Sequence, residues 1–119
     1  MNEYPTKEYL ESNRDIPIID IRTEMEWLQT GILEGSHTLT FFDEMGQYNI
    51  EKFLEELHKI IGDKTNKFML ICRTGSRTGQ VTQYLNANGY NAVNLVGGIM
   101  YVMMNNTYPI VPYSPNSKV

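Results

Sequence analysis

An open parallel β-sheet with helices on both faces, the α/β class, is what this sequence predicts. Three observations carry the prediction. Compact apolar runs alternate with helix-type patterns along the chain. Those runs are apolar at consecutive positions, as strands buried on both faces are. At 119 residues the chain has room for one domain and no second catalytic lobe. Alternating strands and helices in so small a unit form a parallel sheet with crossover helices.

Taken in order, Thr6 to Ser12 reads as a short polar helix, and Pro17-Ile18-Ile19-Asp20-Ile21 as a buried strand. Thr23-Glu24-Met25-Glu26 is a capping box, in which the Thr23 hydroxyl and the Glu26 carboxylate satisfy the orphan amides of a new helix. That helix should end near Thr30-Gly31, and Gly35-Ser36 opens a second short strand through Leu39. Phe41 to Tyr48, with Gly46 inside, reads as a surface loop. Asn49 caps the clearest amphipathic helix, in which Ile50, Phe53, Leu54, Leu57, Ile60 and Ile61 recur three and four apart among charged residues. Gly62-Asp63 stops it.

Phe68-Met69-Leu70-Ile71 is the next strand and runs directly into Cys72-Arg73-Thr74-Gly75-Ser76-Arg77-Thr78-Gly79. A helix follows, with its stop at Asn88-Gly89, then a last strand over Ala92 to Val96. Gly97-Gly98 makes a tight turn into a short apolar helix from Ile99 to Met104, and a tail containing Pro109, Pro112 and Pro115 should lie extended on the surface. The expected organisation is an N-terminal segment over 1–15, the α/β domain over 16–104 and the tail over 105–119.

Composition narrows the function. Hydrophobic residues make up 41% and charged residues 20%, enough to bury a core. Ten Lys and Arg against 14 Asp and Glu leave a net charge of −4 with no basic run, which argues against nucleic acid or an anionic membrane as partner. Cys72 is the only cysteine, as suits a reducing cytosol, and rules out an internal disulfide. With no basic start followed by an apolar signal-type stretch, a cytoplasmic protein is expected.

The chemistry centres on Cys72. It stands where a buried strand ends and a helix is about to begin, the place where open α/β sheets bind ligands. The residues after it are small or cationic, so successive backbone amides can curl round one anionic group. A thiolate in such a ring, at the positive end of a helix dipole and beside two guanidinium groups, is favoured as a nucleophile. The bland alternative is a small buried filler. Of the two histidines, His58 should face solvent from the amphipathic helix, and His37 lies in a turn; neither completes a metal-ligand pattern. Met100, Met103 and Met104 with Tyr101 read as core or pocket wall, or else as an apolar docking surface.

These residues resemble the single-domain rhodanese-like sulfurtransferases, with the match running from about Ile16 to Met104. Asp20-Ile21-Arg22 followed by Glu26-Trp27, the glycine-framed turn Gly31 to Ser36, the loop Cys72 to Thr78, and Leu95-Val96-Gly97-Gly98-Ile99 are similar to four family signatures in order. Ile32 and Glu34 stand where the family usually carries His and Pro, and Tyr101 and Val102 lie where a tryptophan is often found.

The resemblance implies sulfur transfer through a Cys72 persulfide, from a small anionic donor such as thiosulfate to a thiophilic acceptor such as cyanide or a thiol, with no metal or organic cofactor. Arg73 and Arg77 would orient the donor, the latter by returning across the loop mouth. Thr74, Gly75, Ser76 and Thr78 would supply amide and hydroxyl donors. Asp20 and Arg22 would be supporting residues, with Arg22 pairing a carboxylate such as Glu26. A persulfide carrier or protein-binding module of the same family, with little thiosulfate turnover, fits the same residues. The related phosphatase pattern places its arginine six positions after the cysteine. Here Arg77 is fifth and Thr78 sixth, a loop sized for a sulfane sulfur.

Overall fold

The apolar runs form the centre of a five-stranded sheet in the computed structural model, which describes residues 1–115. The strands are β1 (Asn2–Glu3), β2 (Ile18–Asp20), β4 (His37–Thr38), β5 (Lys67–Ile71) and β6 (Asn91–Leu95). They lie in the order β1-β6-β5-β2-β4, and each neighbouring pair is parallel. Two further strands, β3 (Ile32–Leu33) and β7 (Ile110–Val111), pair antiparallel. The helices are α1 (Lys7–Ser12), α2 (Glu24–Thr30), α3 (Ile50–Ile61), α4 (Ser76–Ala87) and α5 (Gly98–Asn105).

The period-2 alternation of strand side chains divides the core into two layers. Phe68, Leu70 and Cys72 face one side of the sheet, where α3 supplies Phe53, Leu57 and Ile61 and α4 supplies Val81 and Leu85. Met69 and Ile71 face the other, against Leu10 of α1 and Ile99 and Val102 of α5. Both faces of the central strand are therefore covered by helices. None of the helices among the described residues is long and apolar enough to cross a membrane.

Local signals mark the elements well. Thr23 and Glu26 form the reciprocal capping box, and Asn49 caps α3 by accepting from the Lys52 amide at 3.1 Å. The short strands depart from expectation. Asn2–Glu3 is the sheet edge against β6, and Ile110 and Val111 of the tail form a ladder with β3, so both ends of the described chain are held by strands. Residues 116–119 of the tail lie outside the described residues. Phe41 begins the surface loop but is itself buried, with ring contacts at 4.8 Å to Phe42 and Phe53. Met103 and Met104, read as core or pocket wall, are 46% and 79% exposed. One turn of α5 suffices to bury Ile99 and Val102, and the other side of so short a helix points outward.

The chain lays β4 on one side of β2 and β5 on the other, so β2 and β5 flank the point where strand order reverses. Residues at and just past their carboxyl ends converge in the crevice there. These are Asp20 to Arg22 from β2, and Cys72 with its loop from β5.

Candidate active site

Strand β5 ends at Ile71, and the next residue, Cys72, is 1% exposed. The chain must then turn from strand to helix within four residues. Gly75 makes this turn at φ 99°, in the left-handed region that favours glycine. Its amide is thereby aimed back at the sulfur and donates to Cys72 Sγ at 3.1 Å. The 12-residue α4 begins at Ser76, placing the sulfur at its N-terminal end.

The back of the loop is closed by α5. The Ile99 and Met100 amides donate to the Cys72 and Arg73 carbonyls at 2.9 and 3.1 Å. Gly98 allows this approach: a Cβ there would lie 2.5 Å from both carbonyl oxygens, on a backbone with φ of +59°. The double glycine therefore acts through contact with the loop itself.

Arg77 lies on the first turn of α4 but does not return across the loop mouth. Both its terminal nitrogens bind Glu26 of α2, Nη1 to Oε1 and Nη2 to Oε2, each at 2.8 Å. That bidentate pair, with desolvation opposing it and the Thr23 amide assisting, lowers the Glu26 pKa to about 2. The Arg77 pKa is in turn raised, first by the bond to Glu26 and then, against the cost of burial, by the charges of Glu26, Cys72 and Asp20. One carboxylate thus caps α2 and holds the first turn of α4.

The expected pairing of Arg22 with Glu26 is replaced by a fully buried pair with Asp20, 1% and 0% exposed. Arg22 Nε and Nη2 bind Asp20 at 3.0 and 2.9 Å, Nη1 donates to Thr30 Oγ1 at 2.8 Å, and Nη2 donates to the Gly31 carbonyl at 2.9 Å. Asp20 is two residues away and already in place when the strand ends, so Arg22 folds back onto it. The pair ties β2 to the end of α2; removing one partner of such a pair typically costs about 3–5 kcal/mol.

The other loop residues separate by exposure. Arg73, Thr74 and Ser76 face solvent, with the two hydroxyls 3.4 Å apart. Thr78 is buried, 3.4 Å from Cys72 Sγ, and its hydroxyl also bonds Asn94 of β6. His58 and His37 are both exposed, and His58 meets the Tyr90 hydroxyl at 2.7 Å.

Sequence reasoning missed Asn94 and the second role of Glu26. The signal for Asn94 was available: it is a carboxamide inside the apolar run Ala92-Val93-Asn94-Leu95, where burial demands a partner. For Glu26 an ion pair was expected, but with Arg22, four residues away, because nothing in the spacing points to Arg77, 51 residues on.

A family description, Rhodanese-like domain, matches residues 6–104. The Bacillus subtilis (strain 168) protein named "Putative sulfurtransferase YtwF" is 32% identical over 94 residues, covering 79% of this chain and 80% of that protein. Among solved structures, a rhodanese-like domain protein from Staphylococcus aureus superposes with a TM-score of 0.66 at 22% identity, covering 96% of this chain and all of the other. The Alr3790 protein from Anabaena sp. does so with a TM-score of 0.68 at 16% identity, covering 95% of this chain and 86% of the other. At those identities the structural likenesses speak for the fold.

Proposed function

Because this chain belongs to the rhodanese-like domain family, we propose that it is a sulfurtransferase in which Cys72 carries a sulfane sulfur as a persulfide. The observation that carries this reading is the sulfur's setting: Sγ receives the Gly75 amide at 3.1 Å, at the head of α4 and within the field of Arg77. Each feature favours sulfur that is negative, as thiolate before transfer and as persulfide after it.

With thiosulfate as donor, the Cys72 thiolate attacks the outer sulfur. A new S–S bond forms, the sulfur–sulfonate bond breaks, and its electron pair leaves on sulfite. An acceptor then attacks the outer sulfur of the persulfide; cyanide leaves as thiocyanate, a thiolate leaves as a persulfide, and Cys72 returns to thiolate. Arg73 is the exposed guanidinium of the loop and attracts the anionic donor. Arg77 positions the first turn of α4 through Glu26. Asp20 and Arg22 brace the crevice, and Thr74, Ser76 and Thr78 supply hydroxyls around it.

One observation favours a protein partner over a small donor. With Arg77 committed to Glu26, Arg73 is the cationic side chain the loop offers to an incoming anion. Slow thiosulfate turnover with faster exchange to a protein thiol is the behaviour this supports.

Intact-protein mass before and after thiosulfate, and again after cyanide, tests the reading. One sulfur atom gained, removed by cyanide and absent from Cys72→Ser, is the expected result. A wild-type protein that gains no sulfur from thiosulfate, polysulfide or a protein persulfide would overturn it.

A further inference from the structure

Asn94 is 6% exposed within β6, between Val93 and Leu95, both fully buried. A carboxamide in such a strand is costly unless its polar atoms are bonded. Its Oδ1 accepts from the Thr78 hydroxyl, and its Nδ2 donates to Asn2 Oδ1 of β1 at 3.1 Å. Thr78 in turn lies 3.4 Å from Cys72 Sγ. A continuous chain of polar atoms therefore runs from the sulfur, through the first turn of α4, to the edge strand.

The direction of this chain matters because the Thr78 hydroxyl has one proton. With that proton given to Asn94 Oδ1, the Thr78 oxygen can receive the S–H of a thiol, but it offers nothing to a thiolate or persulfide. A carboxamide has an acceptor on one side and a donor on the other. If both amides turn over, Asn94 Nδ2 donates to Thr78 Oγ1, Asn94 Oδ1 accepts from Asn2 Nδ2, and the Thr78 proton is left with the Gly75 carbonyl at 3.2 Å and the sulfur as its acceptors, of which negative sulfur is the charged one. Thr78 then has no competing claim from Asn94 and is polarised toward the sulfur by the amide behind it. A carboxylate at position 94 would only accept, and an apolar side chain would do neither.

We propose that Asn94 is a positioning residue for sulfur transfer: its reversible carboxamide, backed by Asn2, lets Thr78 accept from the Cys72 thiol and donate to the Cys72 thiolate or persulfide. This rests on the persulfide reading above. Reversal needs only rotations about side-chain bonds and moves no net charge. The charged groups around the site are Arg77 of α4 with Glu26 of α2, the Asp20–Arg22 pair at the end of β2, and Arg73 of the loop. They are the same in both directions of the chain.

Because Cys72 is the only cysteine, the ultraviolet thiolate absorbance of the whole protein, corrected with Cys72→Ser, reports this one sulfur. Asn94→Asp should move the midpoint of thiolate formation upward by about one pH unit, a roughly tenfold loss of thiolate below it. In a Thr78→Val background the same substitution should move it less than half as far, because only through-space charge remains. An unshifted midpoint, or an equal shift with and without the Thr78 hydroxyl, would overturn the proposal.

Should Asn94→Asp fail to fold, the Asn94 side-chain NH₂ resonances of the wild-type protein give the answer. They should move with the thiolate midpoint and stay still in Cys72→Ser; resonances that ignore sulfur ionisation would overturn the link. Neither readout involves transfer. Normal sulfur gain with an unshifted Asn94→Asp midpoint rejects the link alone, and the expected shifts in a protein that never gains sulfur keep the link and reject the transfer reading.

Discussion

Replacing Glu26 by Gln keeps the size and much of the capping box but removes the charge that Arg77 binds. In the folded protein the Glu26 pKa is lowered from 4.5 to about 2, chiefly by the bidentate Arg77 bond. At full value such a depression corresponds to about 3 kcal/mol of stability. The side chains are 18% and 29% exposed, so solvent screening reduces the expected contribution to about 1–2 kcal/mol. A depressed carboxylate stabilises the fold above its unfolded pKa, and the contribution is lost as pH falls through the window from about 5 to 2. Urea unfolding followed by fluorescence of the single, buried Trp27 reads the effect directly. At pH 7 the Glu26→Gln midpoint should lie roughly 0.5–1 M below wild type. By about pH 3 the gap should fall to less than half, because unfolded Glu26 is then mostly protonated. A gap of equal size at both pH values would refute the ion pair as its source, and no gap at pH 7 would refute the pair as a stabilising contact.

Two further substitutions probe the loop. Arg73→Ala should raise the thiosulfate KM about tenfold with little change in kcat, the pattern of a lost uniform binding contact; steady-state kinetics that show a kcat loss alone would give Arg73 a different role. Gly98→Ala places a Cβ 2.5 Å from the Cys72 and Arg73 carbonyls at a positive φ. It should destabilise the protein by more than about 2 kcal/mol and slow sulfur loading of Cys72, measured by urea unfolding and intact mass.

Legibility in the sequence followed the range of each interaction. The capping box of α2, the Asn49 cap and the apolar stripe of α3 connect residues no more than a few positions apart, so spacing alone revealed them. The runs at 18–21 and 68–71 announced strands because apolar side chains at consecutive positions need cover on both faces. Cys72 was legible as the candidate nucleophile from its place between such a run and a helix start. The two-residue strands β1, β3 and β7 were not, since strands that short exist only through the partner beside them.

The same division holds at the site. Local patterns in the chain carried the α/β class, the order of the longer elements, and a short cationic loop that opens on a cysteine. The long-range partners of the polar groups at the site came from the packed fold. Arg77 meets Glu26 across 51 residues, Thr78 meets Asn94 across 16, and Asn94 meets Asn2 across 92. Local hydrogen bonds are set by backbone periodicity, which sequence spacing records. These three are set by which strands become neighbours, and strand order depends on how both layers of the core are covered at once.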